Sequence, residues 1–407
     1  MSTLKSYFTG TAWKYLSAVD ATPKSHQHEI GSNKFTDILG NPGSETLRLN
    51  AVFVYFGDDD EDDDVLRSEG EVSFYDSRRN NPDRSPEFRL YYRDNPVTTL
   101  MTEGDFCLVA VRPNQEVLLV ITPPGTAMER RVRYLFGLPQ EGTAWQITPE
   151  LNSAELDLAS RTILSALGIE LEDSADDLLG RLVDEFGLGF PPTREFSQFT
   201  RDHAPKSIDP TRDADVALEG WMAYEERLFR TLERAIVEKR LKAGFAGVDD
   251  FVEFSLSVQN RRKSRVGYAL ENHLEAVFVA NKVRYSRGQR TEGNAKPDFL
   301  FPGSVEYHDP NHKSPPLRML ASKSSCKDRW RQILTEAARI NAKHLFTLET
   351  AISQNQTDEM HAHKVQLVVP PSVAKTYNET QQKGLMTLGE FVVLVRQQTR
   401  ESPQIPP

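Results

Sequence analysis

Residues 296–303 read KPDFLFPG, and residues 320–337 read LASKSSCKDRWRQILTEA. Each contains a short apolar string bounded by Pro, Gly or Ser, so strands are expected over 297–302 and 317–323. The first opens on Asp298 and the second ends on Lys323. A carboxylate and an ammonium on neighbouring strands make half of a hydrolytic metal site. The missing half would stand two residues before the lysine, where the chain has Ala321. A substitute is available further on. The spacing predicts a helix over 327–341 with Trp330, Ile333, Leu334 and Ala337 on one apolar stripe. Gln332 and Glu336, four apart, would share a neighbouring face. If that helix folds back across the strand ends, Glu336 reaches the space beside Asp298 and Lys323. Glu271, in LENHLE on an expected helix over 265–282, is a candidate fourth member.

These residue types fit one kind of chemistry. Phosphodiester hydrolysis loads charge onto phosphoryl oxygens and needs an oxygen nucleophile at neutral pH. Two carboxylates suit Mg²⁺, a hard cation that keeps several waters and meets phosphate directly. An adjacent lysine can orient water or face the phosphate. Spacing alone leaves a plainer reading open: an edge aspartate, a surface lysine and an exposed helical glutamate.

The rest of the chain sets bounds. At 407 residues it exceeds one ordinary core and fits two domains. No apolar run is long enough for a membrane helix, and the N-terminus MSTLKSYFTGTAWKYL lacks the apolar centre of a signal peptide. Only Cys107 and Cys326 occur, so reduced thiols and a cytoplasmic location are expected and structural zinc is not. Net charge is −10, but residues 258–347 hold 17 Lys and Arg against 8 Asp and Glu. The remainder therefore carries about −19, much of it in DDDEDDD (58–64) and ELEDSADDLLGRLVDEF (170–186). A basic region inside an acidic chain is the asymmetry expected where one part meets phosphates. The acidic run reads as a solvated loop.

Organisation follows the same division. Residues 1–145 are mostly β-prone: LRLNAVFVYFG (47–57), GEVSFYDS (70–77), EFRLYY (87–92), DFCLVAVRP (105–113) and EVLLVITP (116–123), the last two flanking a hairpin turn at NQ. A closed or nearly closed barrel is expected. Residues 146–190 read as a linker with short helices. From 191 to 407, helices alternate with apolar strands, including 217–245, 265–282, 344–349 and 365–370, which indicates an α/β layer.

The order NRRKSRVGYALENHLE, RTEGNAKPDFLFPG, EYHD, LRMLASKSSCKDRWRQILTEA, HLFTL, LVVP, LMTLGEF resembles the catalytic domain of the EcoRII family of type II restriction endonucleases. That resemblance implies a PD-(D/E)XK fold in which the second acid has moved to the following helix. Glu271, Asp298, Lys323 and Glu336 would be catalytic, with Asp298 and Glu336 holding Mg²⁺. Lys327, Asp328 and Arg329 would occupy the base-reading triplet, since cations suit guanine O6 and N7 and a carboxylate suits cytosine N4. Without the resemblance, an ion-paired helix start is the better reading of those three. Arg261, Arg262, Lys263 and Arg265 suit phosphate contact, which fixes register without reading sequence. Tyr307, His308 and Asp309 fit a structural or phosphate-contacting role. Trp221 and Tyr224 fit core packing, with stacking on a flipped base as the alternative.

SHQHEIG (25–31) and FYDSRR…SPEFRLYY (74–92) resemble the family's N-terminal pseudobarrel that binds effector DNA. Strand alternation in EFRLYY puts Glu87, Arg89 and Tyr91 on one face and Phe88, Leu90 and Tyr92 on the other. His26, Arg78, Glu87 and Arg89 are the candidate DNA contacts there. The family's loop before this strand is rich in Lys and Arg, whereas NNPDRSP (80–86) offers Arg84 alone.

Taken together, the expected fold is a multi-domain chain, an N-terminal mostly-β pseudobarrel followed by a C-terminal α/β nuclease domain. The resemblance further implies cleavage of double-stranded DNA at sites with outer CC/GG pairs, a homodimer through the catalytic domain, two site copies bound, autoinhibition relieved by the second copy, and a cognate DNA methyltransferase in the cell. A modified-base-dependent nuclease and a non-cutting DNA-binding regulator are the alternatives.

Overall fold

A computed structural model describes residues 3–21, 28–57, 65–81, 83–139, 144–149, 151, 153–169, 171 and 176–400. Two compact units divide between Leu171 and Glu172, within the stretch expected to be a linker.

The first unit is built on eight strands: β1 (Gly10–Tyr15), β2 (Glu29–Gly31), β3 (Thr46–Phe56), β4 (Val65–Asp76), β5 (Phe88–Tyr92), β6 (Phe106–Val111), β7 (Val117–Thr122) and β8 (Gln146–Thr148). They form one sheet in the order β2-β5-β4-β3-β7-β6-β1-β8, with β3 and β7 parallel. The five strands expected from alternation all form, and β6 and β7 make the hairpin around Asn114 and Gln115. Phe88, Leu90 and Tyr92 are buried while Arg89 and Tyr91 face outward, as the period-two pattern requires.

One sheet face gathers Ala12, Ile30, Phe53, Phe74, Leu90, Val109 and Leu119 from seven strands into a single core. The sheet therefore curls on itself without closing. No pairing joins β2 to β8 among the described residues; Phe35 packs edge-on against Trp145 at 4.8 Å, and Lys34 Nζ donates to the Trp145 carbonyl at 3.2 Å. Two one-turn helices, α1 (Ala18–Ala21) and α2 (Thr36–Leu39), accompany β1 and β2.

The other face of β1, β3, β6 and β7 is covered by α3 (Ala127–Phe136) and α4 (Leu158–Ala166). Ile163, Leu164 and Leu167 sit in that core, so α4 belongs to the β unit. Nothing in the strand-periodic reading anticipated α3. Its local signals are plain: Thr126 accepts the Glu129 N–H at 3.2 Å as N-cap, and Gly137 (φ +64°) closes the last turn.

In the second unit, α5 (Asp176–Phe186), α6 (Thr193–His203), α7 (Ala214–Ala243) and α8 (Val248–Ala280) precede the sheet. Leu182, Phe196, Phe199, Phe229 and Leu232 form a core among the first three. Five strands follow: β9 (Ser286–Arg287), β10 (Phe299–Phe301), β11 (Arg318–Lys323), β12 (Lys343–Thr347) and β13 (Val365–Val368), in the order β13-β12-β11-β10-β9. Pairing is antiparallel from β9 to β11 and parallel from β11 to β13. The connecting helices are α9 (Ser304–His308), α10 (Gln354–Ala362), α11 (Pro371–Ala374), α12 (Glu379–Gln382) and α13 (Leu388–Arg400). Phe278 of α8 stacks edge-on with Phe299 and Phe301, joining α8 to β10.

One element differs from expectation. Residues 327–335 form a 3₁₀ helix, and Glu336 lies one step past its end with extended angles (φ −84°, ψ 145°). The expected α-helix to 341 is absent because the chain reverses at Ala337 (φ +47°). Trp330, Ile333 and Ala337 are nonetheless fully buried and Leu334 packs beside them. A period of three also aligns Trp330 with Ile333, so the apolar stripe survives the change of helix type.

Among the described residues no helix is long and apolar enough to cross a membrane.

Candidate active site

Asp298 immediately precedes β10. The register Phe299–Leu320 sets Asp298 opposite Ala321, at the end of β11 where Lys323 emerges. The Asp298 carboxylate accepts the Ser322 N–H at 2.7 Å and the Lys323 ammonium at 3.4 Å. Its own carbonyl accepts the Gly288 N–H at 3.0 Å, so both neighbouring strands fix it.

Ala321 explains the missing acid. It is fully buried in the apolar cluster of Met319, Trp330, Ile333 and Leu345. A carboxylate there would enter a dry core without a partner, at a cost of several kcal/mol.

Glu336 supplies the alternative from a held loop. The Lys343 ammonium, buried at the start of β12, donates to the carbonyls of Glu336, Ala337 (3.2 Å) and Ile340 (3.0 Å). The Ala338 N–H donates to Glu292 Oε2 at 3.0 Å, and Glu292 also accepts from Tyr307. The Glu336 backbone is thereby pinned while its half-buried side chain lies in the field of Asp298 and Lys323. Burial pushes its carboxyl above the ordinary glutamate value; the Asp298 charge adds to this, and Lys323 and Lys343 oppose it.

Glu271 projects from α8. Burial and then the Asp298 charge push its carboxyl up as well, against an ion pair with Arg287 Nη2 at 3.0 Å. Arg287 also meets Glu275 at 2.7 Å and Asn272 Oδ1 at 2.9 Å. Asp298, Glu271 and Glu336 thus face Lys323 and an arginine shared with a fourth carboxylate.

That surplus of negative charge is the test of fit for Mg²⁺. Burial first and the Asp298 charge second work against ionising Glu271 and Glu336, a cost that a bound cation would offset, and all the donors are hard oxygens. Among the described residues no three His, Cys, Asp or Glu side chains close into a metal cage.

Other expected residues divide. The side chains of Lys327, Asp328 and Arg329 lie outside the described residues, as does His26. Lys263 is exposed, and Arg261 lies over the Phe190 ring at 4.9 Å. Arg262 bonds Glu233 at 2.6 Å. Arg265 must be withdrawn as a phosphate contact: it is buried on α8, paired with Glu225 at 3.0 Å and with Glu226, and stacked 4.2 Å over Phe229. Its helix turn points it into the bundle. Trp221 is core, packed 5.6 Å from His273. Tyr307 is buried and structural, bonded to Glu292 and to the Arg339 N–H. In the first unit, Arg78 meets Glu87 at 2.6 Å, Glu87 bonds Arg89, and Arg89 lies 3.9 Å from Glu29, so three of the expected contacts form one surface group.

Arg287 and Lys343 escaped the sequence reading. Neither sits in a motif, since one pairs across elements and the other binds carbonyls.

Residues 229–392 match the family model described as EcoRII C terminal. The type II restriction enzyme EcoRII of Escherichia coli is 43% identical over 227 residues, 55% of this chain and 55% of that protein, so the chain spans about half the length of this curated relative. Solved structures overlap more loosely: metal-depleted Ecl18kI with uncleaved, modified DNA (TM-score 0.44, 15% identity, 57% of this chain and 87% of that one) and a PspGI–substrate DNA complex (0.43, 16%, 52% and 95%). Overlaps of that size decide nothing alone. Through residues 229–392, which hold all four candidate catalytic residues, the chain is similar to the EcoRII C-terminal family.

Proposed function

We propose that this protein is a site-specific, Mg²⁺-dependent deoxyribonuclease of EcoRII type. The observation that carries the reading is Asp298 joined to Lys323 at the strand ends, with Glu336 and Glu271 in the same field. Asp298 and Glu336 would hold Mg²⁺, which when bound neutralises phosphoryl charge and lowers the pKa of its water. Lys323 donates to a phosphoryl oxygen or orients the attacking water. Glu271, steadied by Arg287, takes up a proton from that water. Breaking the P–O3′ bond leaves a 5′-phosphate and a 3′-hydroxyl.

Lys327, Asp328 and Arg329 read the outer C·G pairs, and Arg261, Arg262 and Lys263 contact backbone phosphates. Arg78, Glu87 and Arg89, with His26, bind a second copy of the site that acts as effector. Exposed apolar residues around the α7–α8 turn (Leu241, Val248, Phe251, Val252 and Leu256) support a homodimer contact. A cognate DNA methyltransferase and a cytoplasmic setting go with this role.

Digestion of one-site and two-site plasmids with and without Mg²⁺ tests the reading, followed by sequencing of the ends. Metal-dependent cutting at fixed positions, faster on two sites and lost in Lys323→Ala, is expected. Undiminished cutting by Lys323→Ala would remove the site assignment.

A further inference from the structure

A cleft of about 320 Å³ opens beside the start of β11, lined by His312, Lys313, Arg318, Arg339 and Asn341 among others. Its size lies at the lower end of the range for small-ligand sites, roughly 300–1,000 Å³. No carboxylate lines it. Arg318 begins β11 and Lys323 ends it, five residues away, which at about 3.3 Å per residue separates the cleft from the catalytic group by roughly 17 Å.

The cations around the cleft are unbalanced. Among the described residues, Lys313, Arg318 and Arg339 have no carboxylate within salt-bridge distance. Arg339 donates to the Tyr307 and Asp309 carbonyls, which orders its guanidinium without neutralising it. Arg318 Nε is buried with no acceptor, a costly state for a charged donor. His312 Nε2 lies 2.8 Å from the Pro315 carbonyl, which orders that ring too. An ordered guanidinium, further unpaired cations and an acid-free concavity together lack one thing, an oxyanion.

We propose that this cleft is a binding site for a phosphate group, on free phosphate or on a DNA backbone. Arg318 supplies a guanidinium that suits phosphate geometry, Arg339 adds a fixed charge from its carbonyl-held guanidinium, and Lys313 adds a mobile point charge. The far wall is the 339–342 segment, which continues from Glu336. Occupancy would brace the loop whose other end carries the catalytic acid. The site stands apart from the nuclease reading, because a phosphate response would persist even in a chain that cuts nothing.

The test is a titration of the full chain with inorganic phosphate against chloride at matched ionic strength, read by thermal shift. Parallel metal-free duplex binding is measured across salt concentrations. Arg318→Gln and Lys313→Gln are compared with Lys323→Ala, which controls for phosphate in the catalytic group. The expected result is at least tenfold weaker phosphate binding in Arg318→Gln and a smaller loss in Lys313→Gln; a loss confined to Lys323→Ala would place the phosphate in the catalytic group and overturn the proposal. If the phosphate is DNA's, both cleft variants also flatten the log Kd against log salt slope by about one. An unchanged slope with lost phosphate binding assigns free phosphate. Should Arg318→Gln fail to fold, Lys313→Gln, an exposed position, carries the test. Parent and cleft variants alike in both measurements would overturn the proposal.

Discussion

Arg78, Glu87, Arg89 and Glu29 in the first unit and Glu271, Asp298, Lys323 and Glu336 in the second are both tight sets of ionisable side chains. They are solved differently. The first alternates two cations with two anions and pairs each with a neighbour. The second crowds three carboxylates around one lysine and half of an arginine, and burial together with the Asp298 charge raises two of the acids above the ordinary glutamate value. A balanced surface set can bind and release a polyanion by exchanging partners. An unbalanced, half-buried set is neutralised either by protons or by a cation from outside. The contrast in charge balance is independent of either sequence motif, and it is what the proposed docking and catalytic roles rest on.

The largest effect should come from removing the two groups at the middle of the unbalanced set. Asp298→Ala and Lys323→Ala are each expected to lower the single-turnover cleavage rate on the order of 10³-fold, about 4 kcal/mol. Metal-free DNA binding, measured by gel shift, should change by only a few-fold. Equal losses in binding and rate would mean that these residues merely build the DNA surface.

A third set sharpens the contrast, because it is balanced yet buried. Arg265, Glu225 and His273 lie inside the helical bundle, with Glu225 between the other two at 3.0 and 2.9 Å. Burial makes such a set intolerant of loss. Arg265→Ala leaves Glu225 uncompensated and should destabilise the protein by about 3–5 kcal/mol in urea titration. Lys263→Ala, two residues earlier and exposed, should stay within about 0.5 kcal/mol. The basic run RRKSR therefore contains a folding residue that charge counting mistakes for a DNA contact.

That error marks how far the sequence reached. Asp298 and Lys323 were legible because a strand-opening Pro-Asp and a strand-ending lysine carry their own geometry. Ala321 was legible as an absence, but only its burial against Trp330 shows why an acid cannot stand there. The nearness of Glu336 to Asp298 and Lys323 was anticipated for a partly wrong reason. Its stripe of Trp330 and Ile333 reads as α-helix, whereas the backbone is 3₁₀ and then turns at Ala337, a reversal held by Lys343, six residues on, and by Glu292 from a distant segment. The strands of the first unit were legible from alternation. Helix α4 looked like linker because amphipathicity shows that a face is buried and leaves open which core buries it.

Acid titration probes the two raised carboxyls of the second set. Glu271 and Glu336 have folded-state pKa values raised above 4.5, so the native state keeps protons that the unfolded chain loses. Their contribution to stability accordingly falls as pH rises from about 4.5 through the raised values. Glu336→Gln removes one such charge and should raise the metal-free melting temperature near neutral pH by a few degrees, with the gain vanishing in acid. Its Mg²⁺ requirement should rise roughly 10–100-fold. A neutral-pH melting temperature lowered by this change would place Glu336 among balanced charges.

The smallest effect belongs to the balanced set. Arg89 contacts Glu87 and Glu29 at about one-third exposure, so losing it costs little stability. Its replacement by Ala should leave the melting temperature nearly unchanged, and single-turnover cleavage of one-site DNA likewise. What should move is duplex binding by the first unit. If Arg89 exchanges a glutamate for a phosphate on binding, the salt slope flattens by about one and every duplex weakens alike. If it meets a base edge, affinity falls by about 1–3 kcal/mol for the preferred duplex and much less for others. Arg78→Ala distinguishes a shared role from a private one, since Arg78 and Arg89 grip the same Glu87. A double variant no worse than either single would mean that the pair acts through Glu87, holding that carboxylate for cytosine instead of reaching DNA themselves.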